Sequence, residues 1–162
     1  MGLDMYLEAE RFISNIKTEN VGDEKRTNDE LRKALSKVKG FEEIANMRSG
    51  DLDYIRIVVE VGYWRKANAI HNWFVENIQE GEDDCGRYLV LREELVKLRG
   101  LCEKVLKNPE KAEDLLPTRR GFFFGPVVYD KWYFGWLKQT MEIIDRALKL
   151  PKEWDIYYEA SW

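Results

Sequence analysis

Between Asp53 and Ile78 the hydrophobic pattern changes period once, at Gly62, and this change limits the fold more than any other feature of the chain. Before it, Ile55, Ile57, Val59 and Val61 alternate with Tyr54, Arg56, Val58 and Glu60. That alternation, dense in β-branched residues, predicts a strand over 53–61. After it, Ala67, Ile70, Phe74 and Ile78 recur at spacings of 3, 4 and 4, one stripe of a helix. Gly62 is expected to break the strand, with the helix beginning directly after it. The block from Gly62 to Phe74 also carries Tyr63, Trp64, Arg65, Lys66, Asn68, Asn72, Trp73 and the only histidine, His71. A helix with that content turns an apolar face to the core and leaves a rim of polar and aromatic groups for a ligand or partner.

The same reasoning places the other elements. Leu3, Met5, Leu7 and Ala9 alternate with Asp4, Tyr6 and Glu8, which predicts a strand over 3–9 with one buried face. Residues 14–30 are polar and read as an exposed, mobile insertion. Thr27 and Glu30 form a capping box ahead of a helical stripe at Leu31, Ala34, Leu35 and Val38, closed by Gly40. A short helix is expected over 41–47. Leu91, Leu95, Leu98, Cys102 and Val105 mark a further helix, with Cys102 as a core thiol. Asp130 is placed to cap a last helix carrying Tyr133, Leu137, Thr140, Met141, Ile144 and Leu148. The tail from Trp154 to Trp162 alternates again and is expected to pair with an earlier strand. The assembled expectation is α+β: a small, mostly antiparallel sheet of about three strands, one face covered by three to four helices. At 162 residues this is one domain, burying roughly 70% of its unfolded surface.

Composition narrows the function classes. A net charge of -4 argues against direct nucleic-acid binding, which usually needs a basic domain. Cys85 and Cys102 make neither a disulfide framework nor a metal quartet. No His-x-x-x-His, Cys-x-x-Cys or calcium loop is present, so no metal or cofactor is expected. No leader pattern or membrane-length apolar run occurs, and a cytoplasmic protein is expected.

Few residues suggest chemistry. His71 lies beside the core stripe, where a hydrogen-bonded core imidazole is expected. Its pairing with Cys85 as a nucleophile has no local support. Arg65 and Lys66 fall in the expected first helical turn, whose free N–H groups favour anions. Arg119 and Arg120 precede Gly121 and can converge on the same place. A nucleotide or small-phosphate site would join Asp4, Tyr6, Arg65, Asn68 and His71 with Arg119 and Phe122, using the 62–74 and 118–125 segments. The run Phe122-Phe123-Phe124, flanked by Gly121 and Gly125, cannot be solvated throughout and predicts an ordered loop. Six tryptophans exceed what one small core needs. Trp64, Trp132, Trp136 and Phe123 are therefore expected at the surface, as anchors for a partner.

Several segments together resemble a family of small phage and prophage proteins, mostly of unassigned function. They are Met1-Gly2-Leu3-Asp4-Met5-Tyr6-Leu7, the block from Tyr63 to Phe74, Leu116-Pro117-Thr118 with Gly121 to Gly125, and Ala160-Ser161-Trp162. The resemblance spans nearly the whole chain apart from 14–50. It implies a phage-encoded accessory protein in the host cytosol. By analogy with other small phage accessory proteins, and given the aromatic excess and the missing catalytic motif, the chain is expected to bind and disable a host or defence protein, such as a CRISPR effector, without catalysis. No catalytic residue is carried over by the resemblance. The expected contact residues are Asp4, Tyr6, Trp64, Arg65, Asn68, His71, Arg119, Arg120, Phe122 and Phe123. The alternative is the anionic-ligand protein or enzyme built on the two segments above, and a structural role in the virion ranks third. Oligomeric state is left open by the sequence.

Overall fold

The computed structural model describes residues 2–14, 33, 35–40 and 54–162. The chain divides into two compact units, Met1–Glu10 with Val58–Trp162, and Arg11–Ile57. In chain order the elements are β1 (Asp4–Ser14), β2 (Tyr54–Arg65), α1 (Asn68–Asn77), β3 (Arg87–Leu89) and α2 (Arg92–Lys107). A single 3-10 turn (Pro109–Lys111) then runs into the short α3 (Ala112–Leu115), followed by α4 (Lys131–Leu148) and β4 (Asp155–Ser161).

The strands form one antiparallel sheet in the order β2-β1-β4-β3. The fold is therefore α+β, as expected, with four strands rather than three. Residues far apart in sequence make the centre of the sheet. β1 pairs with β4 from Asp4 opposite Ser161 to Glu10 opposite Asp155, so the terminal strand does pair with an earlier one. β3 was not legible. It has three residues, none with a buried side chain, and so no alternation to read.

Alternation sets the layers. Leu3, Met5, Leu7 and Ala9 together with Ile156, Tyr158 and Ala160 point into a core. There they meet Ile70 and Phe74 of α1, Leu95, Leu98 and Cys102 of α2, and Leu137 and Ile144 of α4. Burial pushes the Cys102 thiol up to about 12, so it is an inert core group. α2 and α4 are tied by Arg99, which donates to both oxygens of Asp145 at 2.6 and 3.2 Å. Asp130 caps α4 as expected, accepting from the Trp132 and Tyr133 amides at 2.9 and 3.1 Å. No helix among the described residues is long and apolar enough to cross a membrane.

Two expectations at Gly62 are corrected. β2 runs through it to Arg65, and α1 starts only at Asn68. Gly62 is a point of close approach: a Cβ there would lie 2.2 Å from Cγ2 of Ile143 on α4. Because the strand continues, Trp64 falls on the inward side. It is fully buried rather than exposed, and its indole N–H donates to Thr140 Oγ1 at 2.9 Å. The Thr140 hydroxyl in turn donates to the Trp136 carbonyl at 2.7 Å. The chain leaves the sheet at Lys66, whose φ is +59°, and the Lys66 amide donates to the Leu3 carbonyl at 2.8 Å.

In the second unit, Lys33 and Leu35 are helical and the chain turns through 36–40, with Gly40 in the left-handed region at φ +87°. The capping box at Thr27 and Glu30, the helix expected over 41–47 and nearly all of the polar insertion lie outside the described residues.

Candidate functional site

The sequence-derived candidates fall into three sets, the first two of which touch where Phe124 meets His71. The first is buried. His71, on the inner face of α1, has no exposed surface. Its Nδ1 lies 2.7 Å from the Tyr158 hydroxyl, and its Nε2 lies 3.1 Å from both oxygens of Asp83. The partners assign the tautomer: Nε2–H donates to the carboxylate, and Nδ1 accepts the Tyr158 proton. Burial holds the imidazole below its usual value of 6.5, against the pull of Asp83, so it is neutral. Tyr158 stacks on Phe74 with ring centres 3.8 Å apart, and burial raises its pKa well above 10. Asp83 leads outward to Arg119, 3.5 Å away. Arg119 also donates to Asn72 Oδ1 and Glu76 Oε1, both at 3.1 Å. This chain locks the 80–86 loop and the 117–120 segment onto α1. With both ring nitrogens taken, His71 has none to offer Cys85, which is exposed.

The second set is the phenylalanine turn. The Leu3 amide donates to the Phe123 carbonyl at 3.4 Å. Asn68 Nδ2 donates to the carbonyls of Phe124 and Pro126 at 3.1 and 3.0 Å. Asn68, a buried residue at the start of α1, is thus a clamp for this turn. Phe124 enters the core, edge-on to His71 at 5.0 Å and to Trp162 at 5.9 Å. Its neighbours face outward: Phe122 is 81% and Phe123 44% exposed, their rings edge to face at 4.3 Å. Phe123 has φ +73° and Gly125 φ +89°, and Gly125 backs onto the Lys66 side chain. Lys66 and Arg120 are exposed and pair with no carboxylate among the described residues. Trp132 is exposed as expected, whereas Trp136 is half-buried.

The third set lies on the sheet face away from α1, α2 and α4. Tyr63 donates its hydroxyl to Asp4 and packs beside Tyr6, ring centres 5.4 Å apart. Arg65, at the end of β2 rather than in the first turn of a helix, lies 3.8 Å from Asp4. Arg65 therefore answers to Asp4, and Arg119 to Glu76 and Asp83.

Between α1 and the 115–117 segment lies a groove of about 150 Å³, walled by Trp73, Asn72, Glu76, Asn77, Leu115 and Pro117. It is below the several hundred Å³ of a typical small-molecule site. Its lining carries the acidic Glu76, which suits no phosphate. No group of three or more metal-ligating side chains occurs among the described residues.

Sequence reasoning missed Asp83 and Tyr158 as partners of His71. A signal existed for Tyr158: alternation in the last strand turns it inward, and an inward hydroxyl needs a buried polar partner. The chain matches no family profile, no curated protein and no solved structure.

Proposed function

We propose that the chain is a non-catalytic binding protein, encoded by a phage or prophage, that disables a host or defence protein by occupying it in the cytosol. The observation that carries the reading is the Phe122–Phe123 turn. Two large aromatic side chains are held outward by a backbone bonded to Leu3 and Asn68 and anchored by the buried Phe124. Solvating them costs free energy that a partner surface recovers, and their fixed backbone reduces the ordering entropy lost on binding. The cations Lys66 and Arg120 stand next to the turn in sequence or space. The resemblance of the opening heptapeptide and the 63–74 block to phage proteins supplies the biological setting. His71 and Tyr158, the groups best suited to proton transfer, are consumed in a buried network, which favours occlusion over turnover. The anionic-ligand alternative draws little support from arginines that already answer to separate carboxylates.

The test is phage plating on cells that carry a defence system and express the chain. Wild type is expected to restore plating, and the Phe122→Ala/Phe123→Ala variant to lose that effect. The variant should fold normally, since truncating exposed side chains changes stability by about 0.5 kcal/mol or less. Full activity of this variant, or inhibition by amounts far below those of the target, would overturn the reading.

A further inference from the structure

The sheet face turned away from α1, α2 and α4 has a repeating chemistry. The strand registers align its side chains in rows: Asp4 beside Ser161, Tyr6 beside Glu159 beside Arg87, Glu8 beside Tyr157 beside Leu89, and Glu10 beside Asp155. Tyr63 and Arg65 join from β2 through Asp4. Among these residues five carboxylates face two guanidinium groups, a surplus of three negative charges. The face is open to solvent at Tyr63, Leu89 and Asp155 and half-buried at Asp4, Tyr6 and Glu159.

One guanidinium is already bound there, and it shows how the face holds such a group. Arg87 lies over Tyr157, its guanidinium carbon 3.7 Å from the ring centre. It reaches Glu8 at 3.2 Å and Glu10 at 2.7 Å. Aromatic face below and carboxylates at the side are the two contacts a planar cation uses best. The neighbouring row repeats the ring and the carboxylate acceptors, with Arg65 approaching them only at Asp4. Tyr6 supplies the ring, with Asp4 two residues before it and Glu159 directly across the ladder. Glu159 pairs with no cation among the described residues, and Arg65 stays beyond hydrogen-bond distance of Asp4 with 61% of its side chain exposed.

We propose that this open face is a docking surface for an arginine-bearing, net-positive segment of a partner protein, with one partner guanidinium over Tyr6 between Asp4 and Glu159. The proposal names the partner chemistry of the binding role given above and rests on that role. Charge complementarity decides the occupant. A nucleic acid is repelled by the surplus, and a second copy would bring like charges together. A basic segment neutralises them while gaining stacking on tyrosine.

The test is isothermal titration of the intact chain with capped oligo-arginine and oligo-lysine peptides of equal length. The arginine peptide is expected to bind roughly threefold to tenfold tighter, the margin expected from stacking. Asp4→Asn and Glu159→Gln, nearly isosteric changes, should remove that margin. Glu94→Gln on α2 should leave it intact, and Phe122→Ala should also leave it intact. Equal affinity for the two peptides, or equal loss with Glu94→Gln, would overturn the proposal by showing unspecific charge attraction. Self-association abolished by Glu159→Gln would overturn it in favour of a second copy. If neither peptide prefers the face while Phe122→Ala still abolishes the effect on phage plating, the docking surface fails and the binding role stands.

Discussion

At the scale of single residues, His71 shows how a lone histidine can serve packing. It accepts from Tyr158 and donates to Asp83, so one imidazole satisfies a buried hydroxyl and ties down a loop carboxylate. The folded protein holds the His71 proton less tightly than the unfolded chain, whose imidazole has its ordinary value of 6.5. As the pH falls, the unfolded chain therefore binds the proton first. The stabilisation from neutral His71 is complete above pH 6.5 and is lost as the pH drops through the depressed folded value. Urea unfolding across mildly acidic and neutral pH should show wild-type stability declining below 6.5. His71→Gln should lose that slope and be weaker at neutral pH by about 1–3 kcal/mol, because Tyr158 is left short of a buried partner. A variant with the wild-type slope would assign the titration elsewhere. The buried, bonded character of His71 was legible from its place beside the 67/70/74/78 stripe. Its partners were not, because Asp83 and Tyr158 reach it only through tertiary folding.

At the scale of elements, the stretch around Gly62 separates what periodicity reveals from what it hides. Alternation located β2, and the helical stripe located α1, because each pattern records a buried face. The junction between them was misplaced because glycine was read as punctuation. In the fold it is a gap in the strand that admits Ile143 of α4. Gly62→Ala should consequently destabilise the protein by about 1–3 kcal/mol, the usual cost of overpacking, in denaturant unfolding. A neutral substitution would mean that β2 and α4 are not pressed together there. The correction has a functional side. Continuing β2 to Arg65 turns Trp64 into the core and leaves Tyr63 and Arg65 on the open face, where the sequence had placed all of them around a helix start. The stripes of α2 and α4 and the Asp130 cap were legible throughout, since capping and helical burial are local in sequence.

At the scale of the molecule, an α+β layering follows from alternating strands at both ends of the chain and amphipathic helices between them. Among the described residues α1, α2 and α4 pack on one face of the sheet, and Asp4, Tyr6, Glu8 and Glu10 give the other face its polar character. How the candidate residues would group was beyond the sequence. Asp4, Tyr6 and Arg65 share the open face, Phe122 and Phe123 the outward turn, and His71 the core, and only the strand registers and the clamp from Asn68 decide this. His71, Tyr158 and Cys102 are held inside, while Phe122, Phe123 and Trp132 stand at the surface. The proposed role requires the Phe122 turn to meet a protein partner. Site-specific photo-crosslinking in phage-challenged cells tests this most directly, with the crosslinker replacing Phe122 or, as a control, the exposed Val96 of α2. One protein captured through position 122 and absent from position 96 is the predicted result. The same products from both positions, or none from 122 while the chain still restores phage plating, would contradict it.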